Sequence, residues 1–359
     1  MRRLVKRSLG AALVLIAAGF VWYQGLRVRA GETKTLEPVS AGVCTPIEGL
    51  VGAEDIVIDR ERAVALISAY DRRAELAGEP TRGAIYAYGL AAPEPELVEL
   101  TAKFDGPLRP HGIGLWKEPG RAVLFVVNHG REEEAIEIFD WTSDALVHRR
   151  TVTDELLISP NDVAPAGSDR FYATNDHGNR SPLGRTVEEY LQLRRANVVY
   201  FDGATVRPAA QKISYANGIA LSPTGTTLYA AGTTRGRIHL FHVDPDSGEL
   251  TRDRVLETGT GVDNIDVDRN GMLWVAAHPK LLTFVAHSKD PAVRSPSEVL
   301  WVDPTGQYEP AVRSVYLELG DALSGSSVAA AWGSRLLIGS VFEHALDCER
   351  DPAAVAAAR

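Results

Sequence analysis

Two small or polar residues recur in this sequence at one kind of place, just before a branched apolar residue, and in four of the six cases they include a carboxylate or an amide. The six positions are Glu54-Asp55-Ile56, His111-Gly112-Ile113, Asn161-Asp162-Val163, Asn217-Gly218-Ile219, Asp263-Asn264-Ile265 and Ser326-Ser327-Val328. A single Asn-Asp or Asn-Gly pair is typical of a turn, but the recurrence indicates a common structural role. These triplets supply carboxylate and amide oxygens and no thiolate. Such a set favours Ca²⁺, which takes oxygen ligands, over zinc, which prefers nitrogen and sulfur.

Two histidines could supply acid–base chemistry beside such a metal. His111 opens the predicted strand of its triplet, and His129 ends the next, antiparallel strand, so both are expected on one face of the fold. As neighbours they could act as a general base and its orienting partner. The sequence leaves other bases open. They are His278 with Asp176 as its orienting carboxylate, and two carboxylates of the triplets, Glu54 and Asp263.

Six apolar runs, rich in branched and aromatic residues, have the pattern of buried strands. They are AVALISAY from Ala63, AVLFVVNH from Ala122, RFYATNDH from Arg170, TLYAAGTT from Thr227, MLWVAAHP from Met272 and RLLIGSVF from Arg335. The branched residue of each triplet stands eight to ten residues before the first core position of a run. This spacing predicts six four-stranded units, an all-β six-bladed β-propeller. Because the first strand of each blade lines the central channel, the triplets are expected to meet there as central-channel calcium sites.

The N-terminus has the pattern of a membrane-targeting helix. Ser8 to Leu26 form nineteen residues without a charge, with four basic residues before them and two after. We interpret residues 1–30 as a hydrophobic signal-anchor and residues 31–359 as the propeller domain. The alternative is a signal peptide that is cleaved near Ala30. Both interpretations place the body outside the cytoplasm, anchored to a membrane in the first and secreted in the second. The only other helical pattern is TVEEYLQLRR from Thr186 to Arg195, on a long loop.

Charge and cysteine content exclude several classes of protein. Six of the 38 basic residues lie in the first thirty positions, which hold no acidic residue, so the remainder has 32 basic against 47 acidic residues. This balance argues against nucleic-acid binding and is compatible with cation binding. Two cysteines, Cys44 and Cys348, exclude a disulfide-rich scaffold and a Cys-ligated zinc or iron–sulfur site. Export would permit one bridge between them, and the alternative is two unrelated buried thiols.

The chain resembles the paraoxonase/arylesterase family of calcium-dependent lactonases from about Cys44 to Cys348. The motifs that carry the resemblance occur in order. They are GAEDI from Gly52, RPHGIG from Arg109, LFVVNH from Leu124, PNDV from Pro160, FYATNDH from Phe171, YANGIALSP from Tyr215, VDNIDVD from Val262, LWVAAHP from Leu273 and LLIGSVFEHALDC from Leu336.

The resemblance implies two calcium ions and one disulfide. The residues that match the family's catalytic calcium ligands are Glu54, Asn161, Asn217, Asp263 and Asn264. Those that match its structural calcium site, deeper in the channel, are Asp55, Asp162 and the backbone carbonyl of Ile113. The family's end-to-end disulfide matches Cys44 and Cys348, and its retained hydrophobic N-terminus agrees with the anchor interpretation. Two carboxylates with three neutral amides would leave a +2 ion Lewis-acidic toward a substrate oxygen.

Departures from the family concern the substrate pocket. Mammalian members carry a thiol where this chain has Ala277, and a Phe where it has Tyr215. Val341 keeps an apolar wall position, while Arg72 and Arg73 make the rim more cationic. These changes are compatible with the expected catalytic chemistry, and the acyl, alcohol or leaving-group preference stays open.

We therefore expect a calcium-dependent hydrolase that opens lactones, with acyl-homoserine lactones among the candidate substrates and side activity on aryl esters. Its expected partners are a small-molecule lactone or ester and, through the N-terminal segment, a membrane. An organophosphate triesterase is the alternative within the enzyme class. A non-catalytic surface-binding propeller, in which calcium is structural, is the alternative outside it.

Overall fold

Six antiparallel sheets of four strands make up the body of the chain. The computed structural model describes residues 2–142 and 144–350. The first sheet contains β2 (Ala53–Asp59), β3 (Val64–Ala69), β4 (Ala84–Gly89) and β5 (Leu97–Glu99). The second contains β6 (Pro110–Glu118), β7 (Arg121–Asn128), β8 (Ala135–Trp141) and β9 (Leu146–Thr153). The third contains β10 (Pro160–Pro165), β11 (Phe171–Asn175), β12 (Ala196–Phe201) and β13 (Val206–Ile213).

The remaining three sheets continue the same order. The fourth contains β14 (Ala216–Leu221), β15 (Thr227–Gly232), β16 (Arg237–Val243) and β17 (Leu250–Glu257). The fifth contains β18 (Gly261–Val267), β19 (Leu273–His278), β20 (Ser297–Val302) and β21 (Val312–Glu318). The sixth contains β22 (Ser326–Trp332), β23 (Arg335–Ser340), β24 (Ala345–Glu349) and, from the other end of the body, β1 (Val43–Ile47).

This arrangement confirms the predicted six-bladed propeller. The predicted apolar runs contain the second strands of the six sheets, and the triplets lie in the first strands, which neighbour one another around the channel. Apolar side chains fill the space between adjacent blades. Val163 and Phe171 of the third blade, for example, pack against Phe125 and Ile138 of the second. Burial on both faces explains why the second strands are almost continuously apolar.

The blade that joins the two ends of the body is covalently closed. Strand β1 pairs with β24 so that Cys44 faces Cys348, and the two are disulfide-bonded across a sequence separation of 304 residues. The predicted disulfide is thus confirmed. A crosslink between distant positions removes conformational freedom from the unfolded chain, which favours the folded state.

Replacing both cysteines by alanine, Cys44→Ala with Cys348→Ala, should lower the free energy of unfolding by about 2–5 kcal/mol, the usual range for a native disulfide. Urea unfolding of the variant measures this loss, and wild type in a reductant that opens the bridge is the matched control. The two samples should agree within error. A variant as stable as the oxidised wild type would contradict a stabilising role for the bridge.

Helices occupy the N-terminus and the loops between the second and third strands. They are α1 (Arg2–Arg29), α2 (Arg72–Leu76), α3 (Pro182–Tyr190) and α4 (Leu281–Lys289), with a 3₁₀ turn at Thr233–Arg235. The helix predicted for residues 186–195 therefore begins earlier and ends earlier, because Ser181 caps its start and Gln192 has a φ of 51° just beyond its end. Helices α2 and α4 were not predicted.

The N-terminal helix is present where the signal-anchor was predicted. Among the helices of the described residues, none is both long enough and apolar enough to cross a membrane. The predicted segment 1–30 begins, and the predicted body 31–359 ends, outside the described residues. The boundary between them stays a prediction.

Candidate active site

One cavity of about 640 Å³ collects residues from the first strands of five blades. Glu54, His111, Asn161, Asn217 and Asp263 all line it. The first strand of the sixth blade reaches the same place, because Ser327 donates its hydroxyl to the backbone oxygen of Glu54 at 2.7 Å. The convergence expected from the propeller geometry is therefore seen in the structure.

A β-bulge in every first strand turns the triplets toward the channel. The pairing of β10 with β11, for example, shifts register between Pro160 and Val163, and the other five first strands shift at the same place. A bulge re-aims neighbouring side chains, so consecutive residues such as Asn161 and Asp162 can both be buried in the channel. Two triplets need glycine because the strands approach closely: a Cβ at Gly112 would lie 2.4 Å from Asp162 Oδ1.

Four of the five predicted ligands of the catalytic calcium have a buried oxygen without a hydrogen-bond partner in the described part of the chain. These atoms are Glu54 Oε2, Asn161 Oδ1, Asn217 Oδ1 and Asn264 Oδ1. The amide of Asn264 is oriented by its own Nδ2, which donates to Glu54 Oε1 at 3.0 Å. Buried acceptors without donors are costly unless a cation satisfies them, and hard oxygens suit Ca²⁺. The residues present therefore fit a calcium ion.

The fifth predicted ligand and the second predicted site have partners of their own. Asp263 Oδ2 lies 2.7 Å from His278 Nε2. In the deeper set, Asp55 Oδ2 accepts from the backbone N–H of Ile113, and Asp162 Oδ2 accepts from that of Ile219, each at 2.7 Å. These bonds tie the first blade to the second and the third to the fourth. The deeper carboxylates are thus brought together with Ile113, but their oxygens are already hydrogen-bonded.

The pKa values of three buried carboxyl groups in this centre are raised. Burial, opposed in part by Arg72 and reinforced by Asp263 and Asp162, raises the pKa of Glu54 to about 8. Burial and the neighbouring carboxylates raise the pKa values of Asp55 and Asp162 well above the usual range. Within residues 2–142 and 144–350, no group of three or more His, Cys, Asp or Glu side chains is arranged to hold a metal. The candidate centre depends instead on asparagine amides beside its carboxylates.

The two predicted catalytic histidines are neighbours, with ring centroids 5.1 Å apart and planes at 90°. Arg72 Nη2 lies 3.2 Å from His111 Nδ1, and a guanidinium can only donate, so His111 carries its proton on Nε2, 3.4 Å from Glu54 Oε1. His129 Nδ1 lies 2.5 Å from Glu134 Oε2, which assigns the donor to Nδ1 and leaves Nε2 as a free acceptor. Glu134, which sequence reasoning missed, therefore orients His129.

The alternative base pair is not brought together. His278 bonds Asp263 rather than Asp176, and its ring stacks on Phe284 with centroids 3.7 Å apart. Asp176 instead bonds His177, with Oδ1 2.5 Å from Nδ1. Asp176 directly follows second strand β11 of the third blade, whereas His278 ends second strand β19 of the fifth blade, so the two residues lie two blades apart. His278 still lines the cavity.

A buried ion-pair cluster at His177 gives a pH-dependent prediction. Burial alone would lower the pKa of His177, but hydrogen bonds to Asp176 and to Glu189 raise it to about 9, against 6.5 for the free side chain. Because the folded value is the higher one, this stabilisation is complete below pH 6.5 and is lost as the pH rises through 9.

The unfolding free-energy difference between wild type and His177→Gln should therefore shrink by about 2–3 kcal/mol from pH 7 to pH 10. His239→Gln is the control, since burial and Arg252 lower the pKa of His239 to about 4 and keep it neutral over this interval. Its destabilisation should not change with pH. A His177→Gln effect that is equally flat would contradict a protonated His177.

Helices α3 and α4 form the roof of the cavity and supply half of the apolar and aromatic residues that line it. Tyr190 comes from α3, and Phe284 and Val285 come from α4. The predicted wall residues Tyr215 and Val341 also line it. Sequence reasoning did not assign these helix residues to the site: Tyr190 lies in the helix predicted for 186–195 but was not placed at the cavity, and α4 was not predicted. The site can therefore hold an apolar ester above a floor of oxygen ligands.

Comparison with known proteins gives a consistent result. Residues 36–350 match the sequence model of the arylesterase family. The chain is 35% identical to serum paraoxonase/arylesterase 2 of Rattus norvegicus, over 97% of this chain and 100% of that protein. It is 33% identical to serum paraoxonase/arylesterase 1 of Homo sapiens, over 94% and 98%. Among solved structures, a luciferin-regenerating enzyme shares the fold, with a TM-score of 0.55, 16% identity, and coverage of 85% of this chain and 94% of that one.

Proposed function

The chain belongs to the arylesterase family, and from that membership we propose that it is a calcium-dependent hydrolase that opens lactones and also cleaves aryl esters. Acyl-homoserine lactones are among its candidate substrates. The observation that carries the proposal is the group of four unpartnered buried oxygens, three of them on residues that line an apolar-walled cavity, with a histidine pair beside it. A binding module would not need this combination.

The proposed roles of the triplet residues follow from the chemistry of their side chains. Glu54, Asn161, Asn217, Asp263 and Asn264 would hold a catalytic calcium, while Asp55, Asp162 and Ile113 would hold a second, structural ion. When bound, calcium supplies a Lewis acid that polarises the substrate carbonyl. His278 orients the Asp263 carboxylate through its 2.7 Å hydrogen bond. Phe284, stacked on His278, keeps this contact away from water.

The histidine pair moves the proton in the proposed reaction. A water oxygen bonds to the carbonyl carbon while its proton passes to the pair, and we assign the accepting nitrogen to Nε2 of His129. Glu134 stabilises the imidazolium that forms, since its carboxylate already accepts from Nδ1. Cleavage of the ring C–O bond then returns the proton to the leaving alcohol oxygen, which gives a hydroxy acid.

A panel of γ- and δ-lactones, acyl-homoserine lactones, phenyl acetate and a phosphotriester tests the proposal. Hydrolysis of lactones ahead of the other classes supports it. Preferential turnover of the phosphotriester would favour the organophosphate triesterase instead. No turnover of any class by calcium-loaded protein would favour a binding propeller.

We also propose that the protein acts outside the cytoplasm with its N-terminal segment uncut. The disulfide supports export. The last turn of α1 and the residue after it pack on the body: Leu26 lines the cavity, and the backbone oxygen of Ala30 accepts from the N–H of Leu281 at 2.9 Å. Cleavage near Ala30 would remove part of the cavity wall. N-terminal sequencing of the exported protein and fractionation of membranes test segment retention and anchoring separately.

A further inference from the structure

Two cavities meet at the mouth of the candidate active site. The site cavity adjoins a second cavity of about 760 Å³, and Arg72, Ser288, Lys289 and Phe342 line both. The second cavity has an apolar side that includes Tyr70 and Leu76. A substrate could therefore place its ester beside the buried oxygens of the site cavity and extend a substituent past Arg72 and Lys289 into the second cavity.

Arg72 is held in place by neutral groups. Its Nη1 donates to the backbone oxygen of Val341 at 3.4 Å, and its Nη2 donates to that of Pro110 at 3.3 Å and to His111 Nδ1 at 3.2 Å. The imidazole of His111 stands between Arg72 and Glu54. In the described chain, no carboxylate lies within ion-pair distance of this guanidinium. Its charge is thus oriented but not neutralised by a direct partner.

Other cations lie near the same opening: Lys289 lines both cavities, and Arg73 contacts Phe342, which also lines both. Lys289 is exposed at the end of α4, with no ion pair among the described residues. Arg73 bonds the ring and the backbone oxygen of His287 and lies over the Phe342 ring at 4.6 Å. Only Arg109 has an acidic partner, Glu75. The second cavity is therefore locally cationic, with Arg72, Arg109 and Lys289 against one lining carboxylate, that of Glu75, on a body that is acidic overall.

We propose that Arg72 and Lys289 form an anion subsite that selects lactones or esters bearing a carboxylate a few bonds from the scissile carbonyl. This inference rests on the proposed function and specifies its substrate class. A guanidinium recognises a carboxylate by two parallel hydrogen bonds, while an ammonium acts as a point charge. The width of one imidazole separates Arg72 from Glu54, which sets the spacing between anionic group and reacting carbonyl. The apolar side of the second cavity would pack against the connecting carbons.

The test compares a γ-butyrolactone that carries a carboxymethyl side chain with the corresponding carboxamide. Wild type should favour the acid by roughly tenfold in kcat/KM, a discrimination of about 1.4 kcal/mol. Lys289→Met and Arg72→Met should each lower that ratio at least threefold, and Arg72→Lys should restore part of it. Lys103→Met is the matched control, since Lys103 is exposed and lines a separate cavity. Its ratio should equal that of wild type.

A binding measurement separates this inference from the proposed function. Cyclopentanone with a carboxymethyl group, and its carboxamide, present the same shape without a hydrolysable ester. Calorimetry should show tighter binding of the acid to wild type, and the preference should weaken in Lys289→Met and at high salt. Failure of every lactone to turn over, with this preference intact, would contradict the proposed function alone. An acid-to-amide ratio of one or less in wild type, or an unchanged ratio in both variants, would overturn the anion subsite.

Discussion

Treating the calcium-loaded protein with a chelator should abolish lactone hydrolysis and lower Tm in the same titration. Glu54, Asn161, Asn217 and Asn264 each have a buried oxygen that no described group satisfies, and a cation would satisfy all four. The buried carboxylates also raise one another's pKa values, as Glu54 does for Asp55. Removing the cation leaves this repulsion uncompensated. Mass action predicts a loss of roughly 3 kcal/mol when calcium had been present at a hundredfold excess over its Kd.

Two substitutions separate catalysis from folding in this prediction. Asp263→Ala should chiefly lower turnover, because Asp263 faces the cavity. Asp162→Ala should chiefly lower Tm, because its carboxylate accepts from the backbone N–H groups of Val163 and Ile219 and so joins two blades. The control is Asp246→Ala, an exposed aspartate in a turn of the fourth blade. It should leave turnover and Tm unchanged.

Metal content must be measured beside activity. Full lactone turnover by protein that atomic absorption shows to be free of calcium would rule out the Lewis-acid role. An unchanged Tm in the same sample would rule out a structural ion. The two readouts are independent, so each of the two predicted ions can fail by itself.

The sequence predicted the parts of this molecule that depend on local pattern. Apolar runs such as the one around Phe171 mark second strands, because those strands are buried on both faces. The triplets mark first strands, because the first strand of every blade lies beside the channel and carries the same kind of residues at the same position. The closing pair Cys44 and Cys348 followed from the family resemblance and is confirmed by the register of β1 and β24.

Only part of the cavity roof could be predicted: the sequence indicated the helix that overlaps α3, but not α4, whose stabilising contacts are not local. Helix α4 has Lys280 at its N-cap, with no side-chain cap bond. Glu32, about 250 positions earlier, accepts from the backbone N–H groups of Leu282 and Thr283 instead. A helix whose cap comes from elsewhere in the chain lacks the usual starting signal in its own sequence. Phe284 and Val285 were missed with it.

The sequence also could not predict which acidic side chains pair with the histidines at this end of the channel. The sequence correctly expected His111 beside His129, since adjacent antiparallel strands fix that relation. It could not choose among the three consecutive acids 132–134, of which only Glu134 reaches His129. The bulge between Val262 and Ile265 likewise brings Asp263 to His278, which pattern reasoning had paired with Asp176. A register shift of one residue changes which side chains meet.

His111→Gln and His129→Gln should each lower lactone turnover by roughly 10²-fold or more, the usual scale of general-base loss. His111 is held by Arg72 at Nδ1 and lies 3.4 Å from Glu54 at Nε2. His129 has Nδ1 on Glu134, which leaves Nε2 to accept a proton. Aryl esters with good leaving groups should fall less, because they depend less on the returning proton. Calcium affinity should change little in either variant.

Three variants control for indirect effects. His148→Gln alters an exposed histidine that bonds Glu137 on an outer strand, so turnover should match wild type. Glu134→Gln should lower kcat about tenfold with little change in KM, because it removes the charge that orients His129 but not a substrate contact. Glu134→Asp should recover part of that loss. Equal KM and kcat effects would contradict a positioning role for Glu134.

The double variant His111→Gln with His129→Gln decides whether the two rings act as a unit. If one proton path runs through both, removing the second ring should cost little more than removing the first, because the path is already broken. If each single variant keeps lactone turnover within a few-fold of wild type, the pair is structural. The base must then be His278, whose Nε2 bonds Asp263 inside the cavity, or the carboxylate of Glu54 or Asp263. If His278 is the base, His278→Gln, and not the pair, should show the hundredfold loss.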